Sequence, residues 1–306
     1  MTRDVLRLAD LTRAECEAIF TLTADVKSAL KAGQPRALLQ GKTLAMIFEK
    51  PSLRTRISFE TGIFQLGGHG VYLAPWDIRL GERETVADIA RNLARLVDLI
   101  VARTFRHTVL IDLAEHASIP VINALSDLHH PCQVLSDLFT LVEHRRPLDD
   151  LRVTFVGDGN NVVHSWMEAA TVFPLRFALA CPAGYEPDAG ILASCRAAGA
   201  RIEVTRSVAD AVRDADVVYT DVWTSMGQEE QAAGRRRDFE GYQVNEGLMR
   251  HAAKDALVMH CLPAHRGEEI TDDVIEGGQS IVFDQAENRL HVQKALMVWL
   301  MREGRR

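Results

Sequence analysis

Several features that would place this chain in a common class are missing from its sequence. It has five cysteines among 306 residues, and no two of them are spaced as C-x-x-C. An odd number of scattered cysteines predicts neither a disulfide framework nor a zinc site, and it fits a reducing cytoplasm. Internal repeats and low-complexity segments are absent as well. We therefore expect an ordinary globular protein, which at this length has two domains.

Long apolar runs and basic tracts are also lacking. No stretch is long enough to span a bilayer, and residues 1–20 are charged and amphipathic, unlike a signal peptide. The net charge of -7 argues against a nucleic-acid partner. These absences predict a soluble, cytoplasmic protein that binds neither membranes nor nucleic acids.

Apolar runs typical of buried strands alternate with amphipathic helical patterns along the chain. The runs lie at residues 43–48, 71–73, 99–102, 120–124, 151–156, 175–181, 201–205, 216–220 and 256–259. This alternation predicts an α/β fold with parallel sheets covered by helices. The pattern restarts at Leu151, so we predict two doubly wound domains at 1–135 and 136–286. A C-terminal helix at 287–306 is too apolar to stand alone and should pack back on the first domain. Residues 4–32 are expected to form a helix.

The segment after the first strand has the features of an anion site. Pro51 disfavours helix for the residue before it and Ser52 is a good N-cap, so a helix should begin close to Ser52. Two hydroxyls, on Ser52 and Thr55, then lie beside two guanidiniums, on Arg54 and Arg56. Unpaired amides at a helix start together with these groups suit a phosphate. An ordinary capped helix with two solvated arginines is the alternative.

Two further polar groups follow strands of the first half. Arg103 lies just past the run at 99–102, where open α/β sheets bind ligands. His130 and Gln133 flank a proline after the run at 120–124, so a rigid turn would hold an imidazole and an amide at a helix start. These groups suit a neutral carbonyl or amide ligand. In isolation, Arg103 would be interpreted as a surface residue, and the H-P-C-Q segment as a capped helix start with an exposed histidine.

The second half opens like a dinucleotide-binding fold but departs from it. The segment V-G-D-G-N-N at 156–161 has two glycines of the G-x-G-x-x-G pattern, but Val162 stands where the third is needed. We therefore reject a nicotinamide cofactor. Asn160 and Asn161 remain as hydrogen-bonding groups at a strand end, although asparagines in turns are usually structural.

The end of the strand at 216–220 is acidic. Asp221, Glu229 and Glu230 follow it with no cation before Arg235, so a partner bound there should be positively charged. The three arginines at 235–237 are expected to be solvated loop residues.

The last strand, at 256–259, is followed by two histidines and a cysteine. His260, Cys261 and His265 suggest zinc, but no second ligand pair lies at metal spacing, so we predict no metal. A thiol at a strand end that contacts substrate is one interpretation. A buried, inert cysteine is the other.

Taken together, these motifs closely resemble those of the ornithine carbamoyltransferases, within the aspartate/ornithine carbamoyltransferase superfamily. The matching segments, in family order over nearly the whole chain, are S-L-R-T-R at 52–56, Arg103, H-P-C-Q at 130–133, residues 221–227 and H-C-L-P at 260–263. The resemblance implies a carbamoyl-phosphate domain, an ornithine domain and a cleft that closes over both substrates. The implied reaction transfers a carbamoyl group to the δ-amine of L-ornithine, giving L-citrulline and phosphate, in arginine biosynthesis. It requires no cofactor, and the implied assembly is a homotrimer with active sites near subunit interfaces.

The resemblance also implies roles for individual residues. Those that would bind carbamoyl phosphate are Ser52, Leu53 through its amide, Arg54, Thr55, Arg79, Arg103, His130, Gln133 and Arg289. Those that would bind ornithine are Asn161, Asp221, Ser225, Met226 through its backbone, Cys261 and Leu262. Among these, the catalytic groups would be Arg103, His130, Asp221 and Cys261. Two positions depart from the family pattern: Leu53 stands where a threonine is usual, and Arg79 stands where many members have a glutamine that reaches a neighbouring subunit's site.

Other acceptors and a silent homologue are the competing interpretations. Aspartate would need cations in the second domain, whereas the matching loop is acidic and Cys261 stands where aspartate carbamoyltransferases have proline. Acetylornithine or succinylornithine is a closer alternative, although Asp221 favours a free α-ammonium. A catalytically silent amino-acid sensor or a regulatory subunit with this fold is disfavoured because Arg54, Arg103, His130 and Cys261 are intact.

Overall fold

The computed structural model of the chain describes residues 3–144, 146–224 and 229–303. The chain divides into two compact units, residues 1–139 with 287–306 and residues 140–286. The division at 139/140 falls inside the helix Pro131–Glu143, as does the boundary at 135/136 predicted from the sequence. Each unit has its own sheet.

The first unit is built on a four-stranded parallel sheet. Its strands are β1 (Thr43–Phe48), β2 (His69–Leu73), β3 (Leu99–Arg103) and β4 (Val121–Leu125). Its helices are α1 (Arg13–Lys31), α2 (Leu53–Gln65), α3 (Pro75–Ile78), α4 (Val86–Leu96), α5 (His107–His116) and α6 (Pro131–Glu143), and a 3-10 turn spans Leu8–Asp10. The strand order is β2-β1-β3-β4.

The second unit is built on a five-stranded parallel sheet. Its strands are β5 (Arg152–Val156), β6 (Arg176–Ala180), β7 (Arg201–Thr205), β8 (Val217–Thr220) and β9 (Leu257–His260). The remaining helices are α7 (Asn161–Val172), α8 (Ala189–Ala197), α9 (Val208–Val212), α10 (Ala232–Asp238), α11 (Glu246–Met249), α12 (Asp272–Ile275) and α13 (Val282–Glu303), with a 3-10 turn at Glu229–Gln231. The strand order is β7-β6-β5-β8-β9. From Glu287 onward α13 belongs to the first unit, which confirms the predicted docking of the C-terminal helix.

The central strands of both sheets are buried, as parallel strands covered by helices must be, whereas the edge strands β2 and β7 are partly exposed. Every residue of β3 is buried, and Ile47 and Ile100 join Leu110 of α5 in the core of the first unit. The second unit has a separate core around Val156 and Val218. No helix in the described part of the chain combines the length and apolarity that crossing a bilayer requires.

The strand orders define where each sheet can bind a ligand. The chain reverses direction across the sheet between β1 and β3 in the first unit and between β5 and β8 in the second. Ligands of open α/β sheets bind at such points, beyond the carboxyl ends of the strands. In the register, Phe48 lies opposite Arg103, and Val156 lies opposite Thr220. The loops that follow these residues are therefore the candidate binding segments.

The amino-terminal segment differs from its sequence prediction. Residues 4–32 are not one helix, because α1 begins only at Arg13, after the N-cap Thr12. Val5 instead forms a parallel bridge with Ile122 of β4. Thr12 accepts a hydrogen bond from the Glu15 amide, while the Glu15 carboxylate accepts one from Thr12 N–H, and this capping box starts the helix there. The prediction was therefore wrong for residues 4–12.

Candidate active site

The loop after β1 leads directly into the start of α2. Ser52 is the N-cap, as predicted, and its Oγ accepts from the Thr55 amide at 3.4 Å and donates to Thr55 Oγ1 at 3.0 Å. Thr55 is buried, whereas Leu53 is 70% exposed. The first-turn amides of a helix have no acceptor within it, so this end of α2 can bind an anion. Arg56 pairs with Glu60 on the exposed face of α2 and does not belong to this cluster.

Arg289 of α13 joins the start of α2 to α6. Its Nη1 donates to Gln133 Oε1 at 2.6 Å and its Nη2 donates to Thr55 Oγ1 at 3.1 Å. Gln133 Nε2 in turn donates to Asp137 Oδ1 at 2.8 Å. All four side chains are buried. The structure therefore brings Thr55, Gln133 and Arg289, which are distant in sequence, into one donor-rich cluster.

Arg103 and His130 lie at or after the ends of two neighbouring strands, β3 and β4. Arg103 is the last residue of β3, and His130 immediately precedes α6; both are about 5% exposed or less. Burial lowers the pKa of His130 well below 6.5, and the positive charges of Arg289 and Arg103 lower it further. The imidazole is therefore neutral near pH 7 and can donate one N–H to a carbonyl oxygen.

Arg79 lies outside this buried cluster. It is exposed at the C-cap of α3, with a φ of 40° in the left-handed region. A non-glycine residue in that region carries strain of about 1–3 kcal/mol, which persists where surrounding structure holds it and is common at functional sites. The structure thus does not bring Arg79 together with Thr55, Gln133 and Arg289.

In the second unit, Asp221 is the centre of a separate network. It follows β8, and its Oδ2 accepts from Asn160 Nδ2 at 2.9 Å. Its Oδ1 accepts from the Val222 amide at 2.8 Å and from the Cys261 thiol, which follows β9, at 3.0 Å. Asp221 is 7% exposed, and Cys261 is half-buried. A carboxylate and a thiol thus lie in contact at the carboxyl edge of the sheet, where a cation could approach them.

Asn160 and Asn161 begin α7 at the end of β5. Asn160 Oδ1 accepts from the amides of Val162 and Val163, so Asn160 caps the helix while its Nδ2 contacts Asp221. Asn161 is the first helical residue and is half-buried. Gly159 has to be glycine, because a Cβ there would lie 2.4 Å from the backbone nitrogen of Pro187.

The loop after β9 is held by buried hydrogen bonds of His260, the last residue of that strand. His260 Nε2 contacts Glu269 Oε1 at 2.9 Å, and both side chains are fully buried. His260 Nδ1 accepts from the Leu262 amide at 2.8 Å. Leu262 has a φ of 55°, so this hydrogen bond supports a left-handed residue directly after Cys261.

The same contacts bear on metal binding. The donor atoms of Asp221, His260 and Cys261 lie within 4.8 Å of one another. However, both ring nitrogens of His260 are engaged, one with Glu269 and one with the Leu262 amide. A metal ligand must offer a free lone pair, so His260 cannot join such a site without breaking the contacts that hold its loop.

Several residues of these networks were not recognised from the sequence. Asp137 lies four residues after Gln133 on α6, a helical spacing that could have revealed the pair. Glu269 lies in an irregular loop with no periodic signal. Arg235 was expected to be solvated, but it is 7% exposed and donates to Asp158 Oδ2 and to the Trp223 carbonyl, both at 2.8 Å. That prediction was wrong because folding brings α10 against the loop after β5.

Two residues assigned to ornithine binding by resemblance, Ser225 and Met226, lie outside the described residues. The others divide between the two units. The carbamoyl-phosphate set, apart from Arg79, lies at the β1/β3 end of the first sheet or on the helices beside it, and the ornithine set lies at the carboxyl edge of the second.

Comparison with known proteins gives matches over nearly the whole chain. Residues 3–143 match the family model "Aspartate/ornithine carbamoyltransferase, carbamoyl-P binding domain", and residues 149–300 match "Aspartate/ornithine carbamoyltransferase, Asp/Orn binding domain". The ornithine carbamoyltransferase of Thermococcus kodakarensis is 53% identical over 303 residues, covering 98% of this chain and 96% of the relative. The chloroplastic ornithine carbamoyltransferase of Pisum sativum is 49% identical, covering 98% of this chain and 80% of the relative. The solved structure of the ornithine carbamoyltransferase from Pyrococcus furiosus is similar, with a TM-score of 0.94 at 49% identity; the match covers 99% of this chain and 98% of that one.

Proposed function

Because the chain belongs to the aspartate/ornithine carbamoyltransferase family, we propose that it is an ornithine carbamoyltransferase. It transfers the carbamoyl group of carbamoyl phosphate to the δ-amine of L-ornithine, and the products are L-citrulline and phosphate. The observation that carries this proposal is the buried cluster of Thr55, Gln133 and Arg289 at the start of α2, beside the end of β1. Helix amides and a guanidinium together suit a phosphate dianion.

Carbamoyl phosphate is assigned to the first unit. Its phosphate would be bound by Ser52, Thr55, Arg54 and the amide of Leu53, because these groups form the N-terminal turn of α2. Arg103 would contact both the phosphate and the carbonyl oxygen from the end of β3. The loss of a hydroxyl at Leu53 removes one side-chain donor but leaves the backbone amide.

The carbamoyl group would be oriented by His130 and Gln133. The lowered pKa of His130 supports a neutral imidazole that donates to the carbonyl oxygen. Gln133 is held at both ends of its amide, by Arg289 and Asp137, so its orientation is set before any ligand binds. A preorganised donor of this kind costs little reorganisation when charge develops.

Ornithine is assigned to the second unit. Asp221 would bind its α-ammonium, which is supported by the acidic edge that Asp221 and Cys261 form at the ends of β8 and β9. Asn161, Ser225 and Met226 would bind the α-carboxylate and α-amino groups. Cys261 and Leu262 would lie near the attacking δ-amine.

The proposed reaction is a direct displacement. The neutral δ-amine of ornithine attacks the carbamoyl carbon, an oxyanion develops against Arg103 and His130, and the C–O bond to phosphate breaks. The amine loses a proton, for which Asp221 and Cys261 are the proposed acceptors or relay. No step uses a metal or an organic cofactor. Most of the rate enhancement is ascribed to holding the two substrates in the orientation that the reaction requires and to stabilising the developing charge.

The test is a set of parallel product assays. Purified protein is incubated with carbamoyl phosphate and, separately, with L-ornithine, aspartate, acetylornithine or succinylornithine. We expect citrulline from ornithine and at least 100-fold lower kcat/KM with the other acceptors, because each removes the free α-ammonium or introduces a negative charge beside Asp221. Equal turnover of an acylated ornithine would reassign the acceptor. Binding of ornithine by calorimetry without citrulline formation would indicate a non-catalytic homologue.

The proposal includes a homotrimer. Leu53, Ile57 and Phe64 lie on one face of α2 and are 70%, 52% and 77% exposed. An apolar stripe of this kind supports a contact between copies. Sedimentation equilibrium should give three times the chain mass, and Phe64→Lys should shift the protein toward monomer. Phe283→Lys, at an apolar residue of α13 that is 59% exposed, is the matched control and should leave the mass unchanged.

We also place the enzyme in the cytoplasm, in the synthesis of arginine. The cysteines are odd in number and scattered along the sequence, which supports a reducing compartment. Fractionation of the source cells with a citrulline assay on each fraction tests the location.

A further inference from the structure

The turn that carries His130 is fastened by a residue that has no role in the reaction described above. Ser126 follows β4 directly and is fully buried, four residues before His130. From its position and contacts, we propose that Ser126 is a positioning residue for His130. The inference rests on the proposed function, since it concerns the group that would polarise the carbamoyl carbonyl.

Ser126 holds both polar groups of the His129 backbone. The Ser126 amide donates to the His129 carbonyl at 2.9 Å, and Ser126 Oγ accepts from the His129 amide at 3.1 Å. Ser126 Oγ also lies 3.4 Å from the same carbonyl. The His129 carbonyl belongs to the peptide bond that joins His129 to His130. Ser126 therefore fixes the peptide plane immediately before His130.

The other side of His130 is restricted by proline. Pro131 is the first residue of α6, and a residue before proline is confined to extended backbone conformations. The His130 carbonyl in addition accepts from the Gln133 and Val134 amides at 3.1 and 3.3 Å. With both flanking peptides fixed, the direction in which the His130 side chain leaves the backbone is set by the fold.

Ser126 is itself anchored to neighbouring elements. Its Oγ lies 2.9 Å from His107 Nδ1 of α5, and the His107 amide donates to Asp127 Oδ1 at 2.8 Å. Asn123 Nδ2, on β4, donates to the same His129 carbonyl at 3.4 Å and to the Leu6 carbonyl at 2.7 Å. The turn is therefore tied to α5 and to the amino-terminal segment. A purely local turn would not need these connections.

The experiment compares Ser126→Ala with His130→Ala and with the double variant. Ser126→Ala should lower kcat for citrulline formation about ten-fold, because a displaced imidazole stabilises the transition state less well. KM for carbamoyl phosphate and for ornithine should change less than three-fold. In the His130→Ala background, Ser126→Ala should have no further effect on kcat, since a residue that acts through His130 has nothing left to act on.

Thr23→Val is the matched control. Thr23 is also fully buried in the first unit, and its hydroxyl donates to the Ile19 carbonyl within α1 at 2.7 Å. Thr23→Val should lower thermal stability by about as much as Ser126→Ala does, while leaving kcat unchanged. If Ser126→Ala does not fold, His107→Leu removes the other partner of Ser126 Oγ and should lower kcat about three-fold, again only when His130 is present.

The outcomes separate the inference from the proposed function. Absence of citrulline with the wild-type chain would overturn the function itself. Normal wild-type turnover with kcat of Ser126→Ala within two-fold of it would overturn the positioning role. The positioning role would also be overturned if the fold-losses in kcat of Ser126→Ala and His130→Ala multiplied in the double variant. That result would indicate that Ser126→Ala damages the fold independently of His130.

Discussion

Replacing Arg289 with glutamine is expected to lower kcat/KM for carbamoyl phosphate by about 70- to 1,000-fold. Arg289 is 3% exposed, and its guanidinium holds both Thr55 and Gln133. Its loss removes one charge-assisted hydrogen bond to the bound anion, about 1.5–3 kcal/mol, and the orientation of two neutral partners, about 1 kcal/mol. The total of about 2.5–4 kcal/mol gives the expected range at 1.36 kcal/mol per factor of ten.

The assay is steady-state citrulline formation with carbamoyl phosphate varied at saturating ornithine. Arg302→Gln is the control, because Arg302 lies exposed in the last turn of the same helix and should keep wild-type kinetics. A second measurement follows the His130 imidazole by NMR. Its pKa should rise in Arg289→Gln, since one of the charges that lower it is gone. A folded Arg289→Gln enzyme with kcat/KM within five-fold of wild type would refute the assignment of Arg289 to the phosphate site.

Three other predictions concern charge. Arg103→Ala should lower kcat for citrulline formation by more than 30-fold, since it removes charge-assisted hydrogen bonds of about 1.5–3 kcal/mol each. Its control, Arg106→Ala at an exposed residue nearby, should change kcat less than two-fold. The δ-amine of ornithine has a pKa of about 10.4 by analogy with lysine, so kcat/KM for ornithine should rise up to ten-fold per pH unit between pH 7 and 9. A flat pH profile would contradict attack by the neutral amine. Burial lowers the pKa of Lys294 to about 8, so the charged lysine destabilises the native protein. Lys294→Met should therefore raise the free energy of unfolding at pH 7 by about 1–2 kcal/mol. That gain in stability should shrink as the pH rises from 8 toward 10.5, because in this range the lysine is neutral in the native protein but still charged when unfolded. Denaturant titrations at several pH values measure the gain. A gain that does not depend on pH, or an equal gain for Lys254→Met at an exposed lysine, would contradict the prediction.

The parts of the site that could be predicted from the sequence are those specified by neighbouring residues. Pro51 and Ser52 define the start of α2 within a few residues, because a proline restricts the residue before it and a serine caps a helix locally. The pair Gln133 and Asp137 follows from helical spacing alone. The position of Arg103 at a strand end follows from a short apolar run. Such signals act over four or five residues and do not depend on the rest of the fold.

The parts that could not be predicted depend on packing between distant segments. Residues 4–12 carry a helical pattern, but Val5 pairs with Ile122 of β4, and that pairing overrides local preference. Glu269 meets His260 through an irregular loop that has no periodicity to read. Arg235 lies in a basic run that is typical of solvated loops, yet one of the three arginines is buried against Asp158. Composition cannot distinguish that arginine from its neighbours.

The order of the strands explains why candidate site residues could be proposed from the sequence without a picture of their geometry. Each loop that follows a strand could be read as a candidate ligand segment, but β2 follows β1 in the chain whereas β3 is the neighbour that supplies Arg103. In the second unit β6 follows β5, but β8 supplies Asp221 beside it. A sheet wound outward in both directions from one strand brings together loops that are far apart in sequence. The chemistry of each segment is therefore local, while their association into a site is a property of the winding, which only the folded chain reveals.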